Sequence, residues 1–201
     1  MIRAVLLDAD GVLQSCPNFS FSVAALVPEK RCAAFAQALF DAEQPCLCGE
    51  ADFGEALATV LANWKMETSF NDLMRAWNEI QTDEAVLRIV ASVRRLGVTC
   101  CIASNQQSYR AKHMSELLGY AKHFDREFYS CAIRVAKPDV QYFREILGAL
   151  SLRPDELLFI DDSLPNVRAA SEVGLCSEHF PSNAGGAKLR ELLHKYGLQV
   201  A

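Results

Sequence analysis

The chain begins with an apolar run that ends in acidic residues. Five of the six residues from 2 to 7 are apolar, which is typical of a strand buried on both faces of a sheet. From residue 83 onwards, short apolar runs alternate with segments whose apolar residues recur at helical spacing. This alternation predicts an α/β fold: a doubly wound, mostly parallel sheet with right-handed crossovers and helices on both faces.

The boundaries of these elements follow from the apolar periods and from the glycines between them. Helices are predicted at 83–96, 106–118, 139–150, 163–173 and 186–196, and strands at 98–103, 157–160 and, as a weaker pattern, 175–180. Residues 123–129 fit a short strand or a loop. Gly97, Gly119 and Gly174 follow three of the helices, at the position where a left-handed residue commonly ends a helix.

Residues 15–82 show helical spacing with no strand pattern. Helices are predicted at 29–40, 52–64 and 71–80, residues 14–27 are expected to be irregular, and Pro45 and Gly49 are expected to separate the first two helices. We therefore predict a catalytic core of residues 1–14 and 83–201 and a small all-helical cap of residues 15–82. Because the cap follows the first strand, we expect it above the C-terminal edge of the sheet.

Composition excludes several classes of partner. The 201 residues are 51% hydrophobic and carry 20 Lys and Arg against 25 Asp and Glu, a net charge of −5. A mildly acidic chain does not favour nucleic acid or a membrane surface, and no apolar run is long enough to span a bilayer. Since the first residues run straight into a strand without a secretory signal pattern, we expect a cytoplasmic protein, as a monomer or homodimer.

The eight cysteines are expected to be reduced and mostly packed as small apolar residues. Cys46 and Cys48 are separated by one residue, whereas zinc ligands are usually separated by two to four, and no second Cys/His pair lies nearby. We therefore expect no zinc site.

Polar residues stand at the ends of the predicted strands. They are Asp8 and Asp10 after the first strand, Ser104 and Asn105 after the second, Lys137 before the helix at 139–150, and Asp161 and Asp162 after the strand at 157–160. In a parallel sheet these strand ends lie on one edge, which is where open α/β sheets bind ligands. The helix predicted to begin at Gln106 adds its N-terminus to the same edge.

Four carboxylates at one edge repel one another unless a cation is bound between them. Oxygen ligands select a hard cation, and a site with few protein ligands fits Mg²⁺. A lysine and a helix N-terminus would attract an anion. The edge therefore has the parts needed for phosphoryl transfer to an aspartate.

These residues resemble the motifs of the haloacid dehalogenase superfamily, in its phosphatase-like branch with a helical cap. The family's Asp-x-Asp-Gly motif matches residues 8–12, its strand ending in Ser or Thr matches 101–105, its Lys-Pro motif matches 137–138, and its acidic motif matches 159–163. The motifs occur in the family's order, and the resemblance covers essentially the whole chain.

The resemblance implies a role for each residue. Asp8 would be the nucleophile that forms an aspartyl-phosphate, and Asp10 would protonate the leaving alcohol and then accept a proton from water. The phosphoryl oxygens would be held by Ser104, the Asn105 backbone and Lys137. Mg²⁺ would be held by the Asp8 carboxylate, the Asp10 carbonyl and Asp162, with Asp161 close by or in an outer shell.

The resemblance leaves several functions open. The leading interpretation is a Mg²⁺-dependent phosphatase for a small phosphorylated metabolite, of the sugar phosphate or nucleotide class. A phosphosugar mutase, a 2-haloacid dehalogenase and a non-catalytic binding or regulatory module are the alternatives. The dehalogenating members are expected to lack an acid at the position of Asp10, so its presence favours phosphoryl chemistry.

Substrate specificity is expected to reside in the cap. Candidate substrate contacts are Phe19, Phe21, Cys46, Leu47, Trp64 and Trp77, although packing between cap helices is the better explanation for the two tryptophans. The first loop of the cap has few charged residues, which favours a small or neutral leaving group.

Overall fold

The computed structural model describes residues 1–200; Ala201, the last residue of the predicted core, lies outside the described residues. In chain order the elements are β1 (Ala4–Leu7), β2 (Gln14–Ser15), α1 (Phe19–Ala24), α2 (Glu29–Leu47), α3 (Phe53–Trp64), α4 (Phe70–Trp77), β3 (Gln81–Thr82), α5 (Glu84–Arg95), β4 (Thr99–Ser104), α6 (Ser108–Lys112), α7 (Tyr120–His123), β5 (Arg126–Tyr129), α8 (Ser130–Ile133), α9 (Val140–Leu150), β6 (Leu157–Asp161), α10 (Leu164–Glu172), β7 (Cys176–His179) and α11 (Gly185–Lys195).

A five-stranded parallel sheet, in the order β5-β4-β1-β6-β7, forms the centre of the fold. The central strand β1 pairs with β4 on one side and β6 on the other, which explains why it is apolar throughout. Its Leu7 is in register with Ile102 and Ile160, so Asp8 follows level with the end of β6. The predicted doubly wound α/β fold is confirmed.

Helices cover both faces of this sheet. Val5 and Leu7 of β1 belong to an apolar cluster with α5 and α11, whereas Ala4 and Leu6 belong to a cluster with α9 and α10. Successive residues of a strand point to opposite faces, and both faces of β1 are buried. The sheet is therefore packed between two layers of helices, and its C-terminal edge is left to carry the site.

The segment between β1 and β4 folds around an apolar cluster of its own. Helices α1–α4, which we call the helical insert, bury residues such as Phe35, Leu39, Phe53, Leu57, Leu73 and Trp77 against one another. Two details differ from the sequence predictions. The helix α1 occupies part of the segment predicted to be irregular, and α2 continues to Leu47 with Pro45 in its last turn. A proline so close to the helix end removes only one backbone hydrogen bond, so α2 continues past Pro45. The two predicted helices are nevertheless separate, and Gly49, with a φ of +65°, lies between them.

A short antiparallel ribbon closes the base of the helical insert. Strands β2 and β3 pair Gln14 with Thr82 and Ser15 with Gln81. The prediction that residues 15–82 contain no strand was therefore wrong, because strands of two residues are too short to produce a periodic pattern. The helical insert also contacts α6, since the ring centroids of Phe70 and Tyr109 lie 5.4 Å apart.

The helix predicted at 106–118 is shorter and is divided. It begins at Ser108 as α6 and continues as a π-helical turn over His113–Leu117. Residues 123–129, predicted as a short strand or loop, contain the edge strand β5. Across residues 1–200, no helix combines the length and the apolar character that a bilayer crossing requires.

Candidate active site

A cleft of about 480 Å³ separates the C-terminal edge of the sheet from the helical insert. Asp8, Asp10, Asn105 and Asp162, all singled out from the sequence, line it together with Gln106 and Arg110. The opposite wall comes from the β2 region and the insert: Ser15, Cys16, Phe19, Ser20, Phe40, Glu43, Leu47 and Trp77. Ser104, Lys137 and Asp161 do not line the cleft and are buried. The sequence-predicted residues therefore form two layers, four at the surface of the cleft and three within the protein.

Asp8 lies at the end of β1 and is 8% exposed. Its Oδ1 accepts a hydrogen bond from the Ala9 backbone N–H at 2.7 Å and lies 3.0 Å from Lys137 Nζ. Burial raises the pKa of Asp8 to about 7, although the Lys137 ammonium group opposes this shift. A further positive charge at this point would therefore stabilise the carboxylate that a nucleophile must present.

Lys137 is held between two carboxylates. Its Nζ lies 2.6 Å from Asp161 Oδ2 and donates to the Ala103 carbonyl at 2.7 Å. Burial alone would lower its pKa, but Asp8 and Asp161 outweigh burial, so the pKa of Lys137 is raised and the group stays charged. The Asn105 side chain fixes the Lys137 backbone through reciprocal hydrogen bonds of 2.8 and 2.9 Å.

Three carboxylates, which we call the acidic group, lie close enough together to hold one metal ion. Oxygen atoms of Asp8, Asp161 and Asp162 all lie within 4.8 Å of one another. Both carboxylate oxygens of Asp161 already have hydrogen-bond partners within the protein. They accept hydrogen bonds from Lys137 Nζ, the Ser163 backbone N–H and the Asn166 amide. Burial raises the pKa of Asp162, although a hydrogen bond from the Ser182 side chain opposes this shift. An all-oxygen set with an excess of negative charge fits a hard divalent cation such as Mg²⁺.

Asp10 is paired with a residue that was not identified from the sequence. The Arg110 guanidinium contacts both carboxylate oxygens of Asp10, with Nη1–Oδ2 at 2.6 Å and Nη2–Oδ1 at 2.8 Å. Gln106 donates to Oδ2 at 2.8 Å and Gln14 donates to Oδ1 at 3.0 Å. Such a bidentate pair fixes the orientation of a carboxylate as well as its charge. Asp10 is therefore held by three side chains, of which Gln14 comes from the segment after β1 and the other two from the segment after β4.

The surroundings of Asp10 favour its ionised form. Burial alone would raise the pKa of Asp10, but the hydrogen bonds and positive charge of Arg110 outweigh burial, so this pKa is lowered. Arg110 also donates to the Trp77 carbonyl at 3.2 Å and to Cys16 Sγ at 3.0 Å. It thus connects Asp10 to the helical insert.

The sequence predicted that the N-terminus of the helix after β4, now α6, would bind an anion. The Gln107 side chain accepts hydrogen bonds from the backbone N–H groups of Tyr109 at 2.7 Å and Arg110 at 3.1 Å. The Gln106 N–H donates to Ser130 Oγ at 3.0 Å. The prediction of an anion-binding helix N-terminus at Gln106 was therefore wrong, because these donors already have partners within the protein.

Comparison with known proteins identifies the family. The sequence model for the family described as "Hydrolase: haloacid dehalogenase-like hydrolase" matches residues 2–174. The chain belongs to the haloacid dehalogenase-like hydrolases. The resemblance to the haloacid dehalogenase superfamily is therefore confirmed, and the protein is a hydrolase of this family.

Relatives of this haloacid dehalogenase-like hydrolase differ in length. Bifunctional epoxide hydrolase 2 of Rattus norvegicus is 28% identical over 149 residues, which cover 71% of this chain and 26% of that protein. The chain thus spans about a quarter of the length of the curated epoxide hydrolases that it matches.

Two groups of solved structures share the fold. A wild-type HAD family enzyme of Bacteroides thetaiotaomicron, in complex with magnesium and inorganic phosphate, has a TM-score of 0.77 and 20% identity over 94% of this chain and 99% of that chain. The L-2-haloacid dehalogenase of Xanthobacter autotrophicus has a TM-score of 0.68 and 24% identity over 96% of this chain and 83% of that chain. These likenesses establish the fold.

The side chains missed by the sequence analysis of this hydrolase are Arg110, Gln106, Gln14 and Glu43. Gln106 and Arg110 are four positions apart and directly follow β4, and this spacing at a strand end was the available signal. Of the six candidates in the insert, Phe19, Leu47 and Trp77 line the cleft, whereas Phe21, Cys46 and Trp64 do not. Trp64 instead packs against Phe35, with ring centroids 5.0 Å apart.

Gly11 is required next to the acidic group of this hydrolase. Its φ of +80° is unfavourable for other residues, and an added Cβ would lie 2.1 Å from Asp162 Oδ2 and 2.8 Å from Ser182 Oγ. We therefore expect Gly11→Ala to displace the Asp162 carboxylate and to weaken Mg²⁺ binding by at least about tenfold, measured by calorimetric titration.

Gly97→Ala is the matched control for this prediction. Gly97 has a similar φ of +79°, and a Cβ there meets no atom within 4 Å. Both variants should lose about 1–2 kcal/mol of stability from the backbone conformation, but only Gly11→Ala should lose Mg²⁺ affinity. Equal Mg²⁺ affinity in the two variants would show that Asp162 does not hold the metal.

Proposed function

We propose that the protein is a Mg²⁺-dependent phosphatase that hydrolyses a small phosphorylated metabolite through an aspartyl-phosphate on Asp8. The observation that carries this proposal is the position of Asp8 in the cleft, paired with the buried Lys137 and within the same 4.8 Å group as Asp162. Asp10 stands two residues further on, and its carboxylate is not part of that group. One aspartate is thus available as a nucleophile and the other for proton transfer.

The Asp8 and Asp162 carboxylates fit a Mg²⁺ ion, and the family resemblance adds the Asp10 backbone carbonyl as a further ligand. Asp161 is more suited to positioning Lys137, since its oxygens are already hydrogen-bonded. The ion would supply positive charge that draws electron density from the phosphoryl oxygens. A family member of the same fold has been crystallised with magnesium and inorganic phosphate, which supports this assignment.

Asp8 begins the reaction by attacking the phosphorus atom of the substrate. The phosphoryl group moves to the Asp8 carboxylate as the bond to the leaving oxygen breaks. The protonated form of Asp10, which the Arg110 pair disfavours, gives its proton to that oxygen. The family resemblance assigns the phosphoryl oxygens to Lys137, Ser104 and the Asn105 backbone. Lys137 and Ser104 do not line the cleft and are hydrogen-bonded within the protein, so each would exchange a present hydrogen bond for one to the phosphoryl group. The buried amine of Lys137 contributes a fixed positive charge.

Water completes the cycle. Asp10, now ionised, accepts a proton from a water molecule that attacks the phosphorus atom, which releases inorganic phosphate and regenerates Asp8. Arg110 stabilises the ionised form of Asp10, which this second step requires. Asp10 also separates this proposal from haloacid dehalogenation, for which the family resemblance implies no acid at that position.

Hydrolysis of an aryl phosphate with and without Mg²⁺ tests the proposal. We expect chelation to abolish turnover and Mg²⁺ to restore it. Asp162→Ala should weaken Mg²⁺ binding far more than Ser104→Ala, because Ser104 Oγ is 3.2 Å from Gln106 Nε2 and is not in the acidic group. Equal turnover with Ca²⁺ would contradict a compact Mg²⁺ site, since Ca²⁺ prefers more ligands at longer distances.

A further inference from the structure

Three aromatic rings form one wall of the cleft, opposite the catalytic aspartates. We call Phe19, Phe40 and Trp77 the aromatic wall; their ring centroids lie 4.8 Å (Phe19–Trp77), 5.8 Å (Phe19–Phe40) and 6.3 Å (Phe40–Trp77) apart. All three rings line the cleft, and Phe40 is 41% exposed although it is a large apolar residue. Asp8 and this wall line the same cleft, so the wall is available to the leaving group of a phosphate monoester bound at Asp8.

A single carboxylate accompanies the aromatic wall. Glu43 comes from α2, three residues after Phe40, and lines the same cleft. Its Oε1 accepts a hydrogen bond from Trp77 Nε1 at 3.0 Å, which fixes the carboxylate next to the rings. The residue is half-buried, and within residues 1–200 no cation lies within ion-pair distance of it.

The nearest cations are already committed to other groups. Arg110 contacts both oxygens of Asp10, and Lys137 is held between Asp8 and Asp161. Glu43 is therefore the cleft carboxylate that has neither a basic partner nor a place in the acidic group. Burial raises the pKa of Glu43 to about 7, although the hydrogen bond from Trp77 and the charge of Arg110 oppose this shift.

We propose that Glu43 and the aromatic wall bind an ammonium group of the substrate, so that the enzyme acts on the phosphate monoester of an amino alcohol. An ammonium ion gains electrostatic attraction from the faces of aromatic rings and from a nearby carboxylate. It would supply the positive charge that Glu43 lacks. This inference rests on the proposed phosphatase function and narrows its substrate class.

The same arrangement disfavours other substrates. A second phosphate or a carboxylate on the leaving group would meet the Glu43 carboxyl group. Among the described residues that line the cleft, Arg110 is the only basic side chain, and it is paired with Asp10. The neutral leaving group expected from the sequence would fill the apolar part of the wall but would leave Glu43 unpaired. A cationic leaving group would both contact the aromatic rings and pair with the Glu43 carboxylate.

Isosteric substrate pairs test the inference. Phosphocholine would be compared with its neutral isostere, in which a carbon atom replaces the nitrogen, and the comparison repeated with both chains lengthened by one methylene. We expect kcat/KM to favour the cationic member of at least one pair by about tenfold or more, which corresponds to about 1.4 kcal/mol. An aryl phosphate serves as a substrate that lacks the charge.

Substitutions in the cleft show which residues cause a preference for the cationic substrate. Glu43→Gln retains the size of the side chain and should reduce the preference for the cation, measured as the ratio of kcat/KM within each pair, to about threefold or less. Phe40→Leu, at an exposed position that does not threaten folding, should reduce the preference in part. Glu50→Gln is the matched control, because Glu50 is exposed and does not line the cleft.

The outcomes separate the two proposals. Hydrolysis of the aryl phosphate without a preference for the cation in either pair would overturn the inference alone. An unchanged preference in Glu43→Gln would overturn the role of Glu43. No Mg²⁺-dependent hydrolysis of any of these compounds would overturn the proposed function, and with it the inference that rests on it.

Discussion

Replacing Asp8 with asparagine is expected to abolish turnover, lowering kcat by at least about four orders of magnitude. The amide has the shape of the carboxylate but cannot attack phosphorus. The fold should persist, because Lys137 keeps its contacts with Asp161 at 2.6 Å and with the Ala103 carbonyl at 2.7 Å. Steady-state hydrolysis of an aryl phosphate, together with thermal unfolding, measures both parts of this expectation.

Asp83→Asn is a suitable control for the Asp8 variant. Asp83 accepts hydrogen bonds from the first backbone N–H groups of α5 and does not line the active-site cleft. Asparagine caps helices about as well as aspartate, so both activity and stability should be retained. Activity of Asp8→Asn near that of this control would contradict the nucleophilic role of Asp8.

Asp10→Asn is expected to lower kcat by about 10²–10⁴-fold, since the amide can neither donate nor accept the proton that the reaction transfers. Its backbone carbonyl remains able to bind Mg²⁺, so substrate affinity should change little. The deficit in the first step should be smaller for an aryl phosphate than for an alkyl phosphate, because a good leaving group needs less protonation. Single-turnover kinetics with the two substrates measures this difference.

Because Asp10→Asn also breaks the ion pair with Arg110, a second variant is needed to separate its effect on stability from its effect on kcat. Removing the Asp10 charge leaves the Arg110 guanidinium unpaired, and its side chain is only 9% exposed. Breaking a buried pair costs about 3–5 kcal/mol, and the loss should be smaller here because the Asp10 side chain is 44% exposed. Asp10→Asn combined with Arg110→Gln should recover stability without recovering kcat. Equal kinetic deficits for good and poor leaving groups would instead show that Asp10 is a structural residue.

The sequence was sufficient to locate the edge of the sheet at which the candidate site lies. The run before Asp8 and the run before Asp161 are apolar because β1 and β6 are buried on both faces, and that burial is a local property of each segment. Strands that end in carboxylates therefore predicted which side chains would meet. The roles of these residues, and the division into core and cap, stay predictions.

Side chains that act across long sequence separations were not predicted. Arg110 meets Asp10 across 100 positions, and in a helix of mixed polarity an arginine ordinarily faces solvent. Glu43 lies in an alanine-rich helix, where a glutamate is likewise expected at the surface. Their burial depends on how the helical insert packs against the sheet, and the periodicity of one segment contains no information on that packing.

Trapping the covalent intermediate tests the central claim most directly. Asp10→Asn would be mixed with an aryl phosphate and Mg²⁺, quenched with acid, reduced with borohydride to convert an acyl phosphate at aspartate into homoserine, and mapped by peptide mass spectrometry. Phosphoryl transfer to Asp8 predicts homoserine at position 8, more of it than in the wild-type protein, and none without Mg²⁺. Turnover of the substrate by the wild-type protein with no modification at Asp8 in either protein would contradict the account.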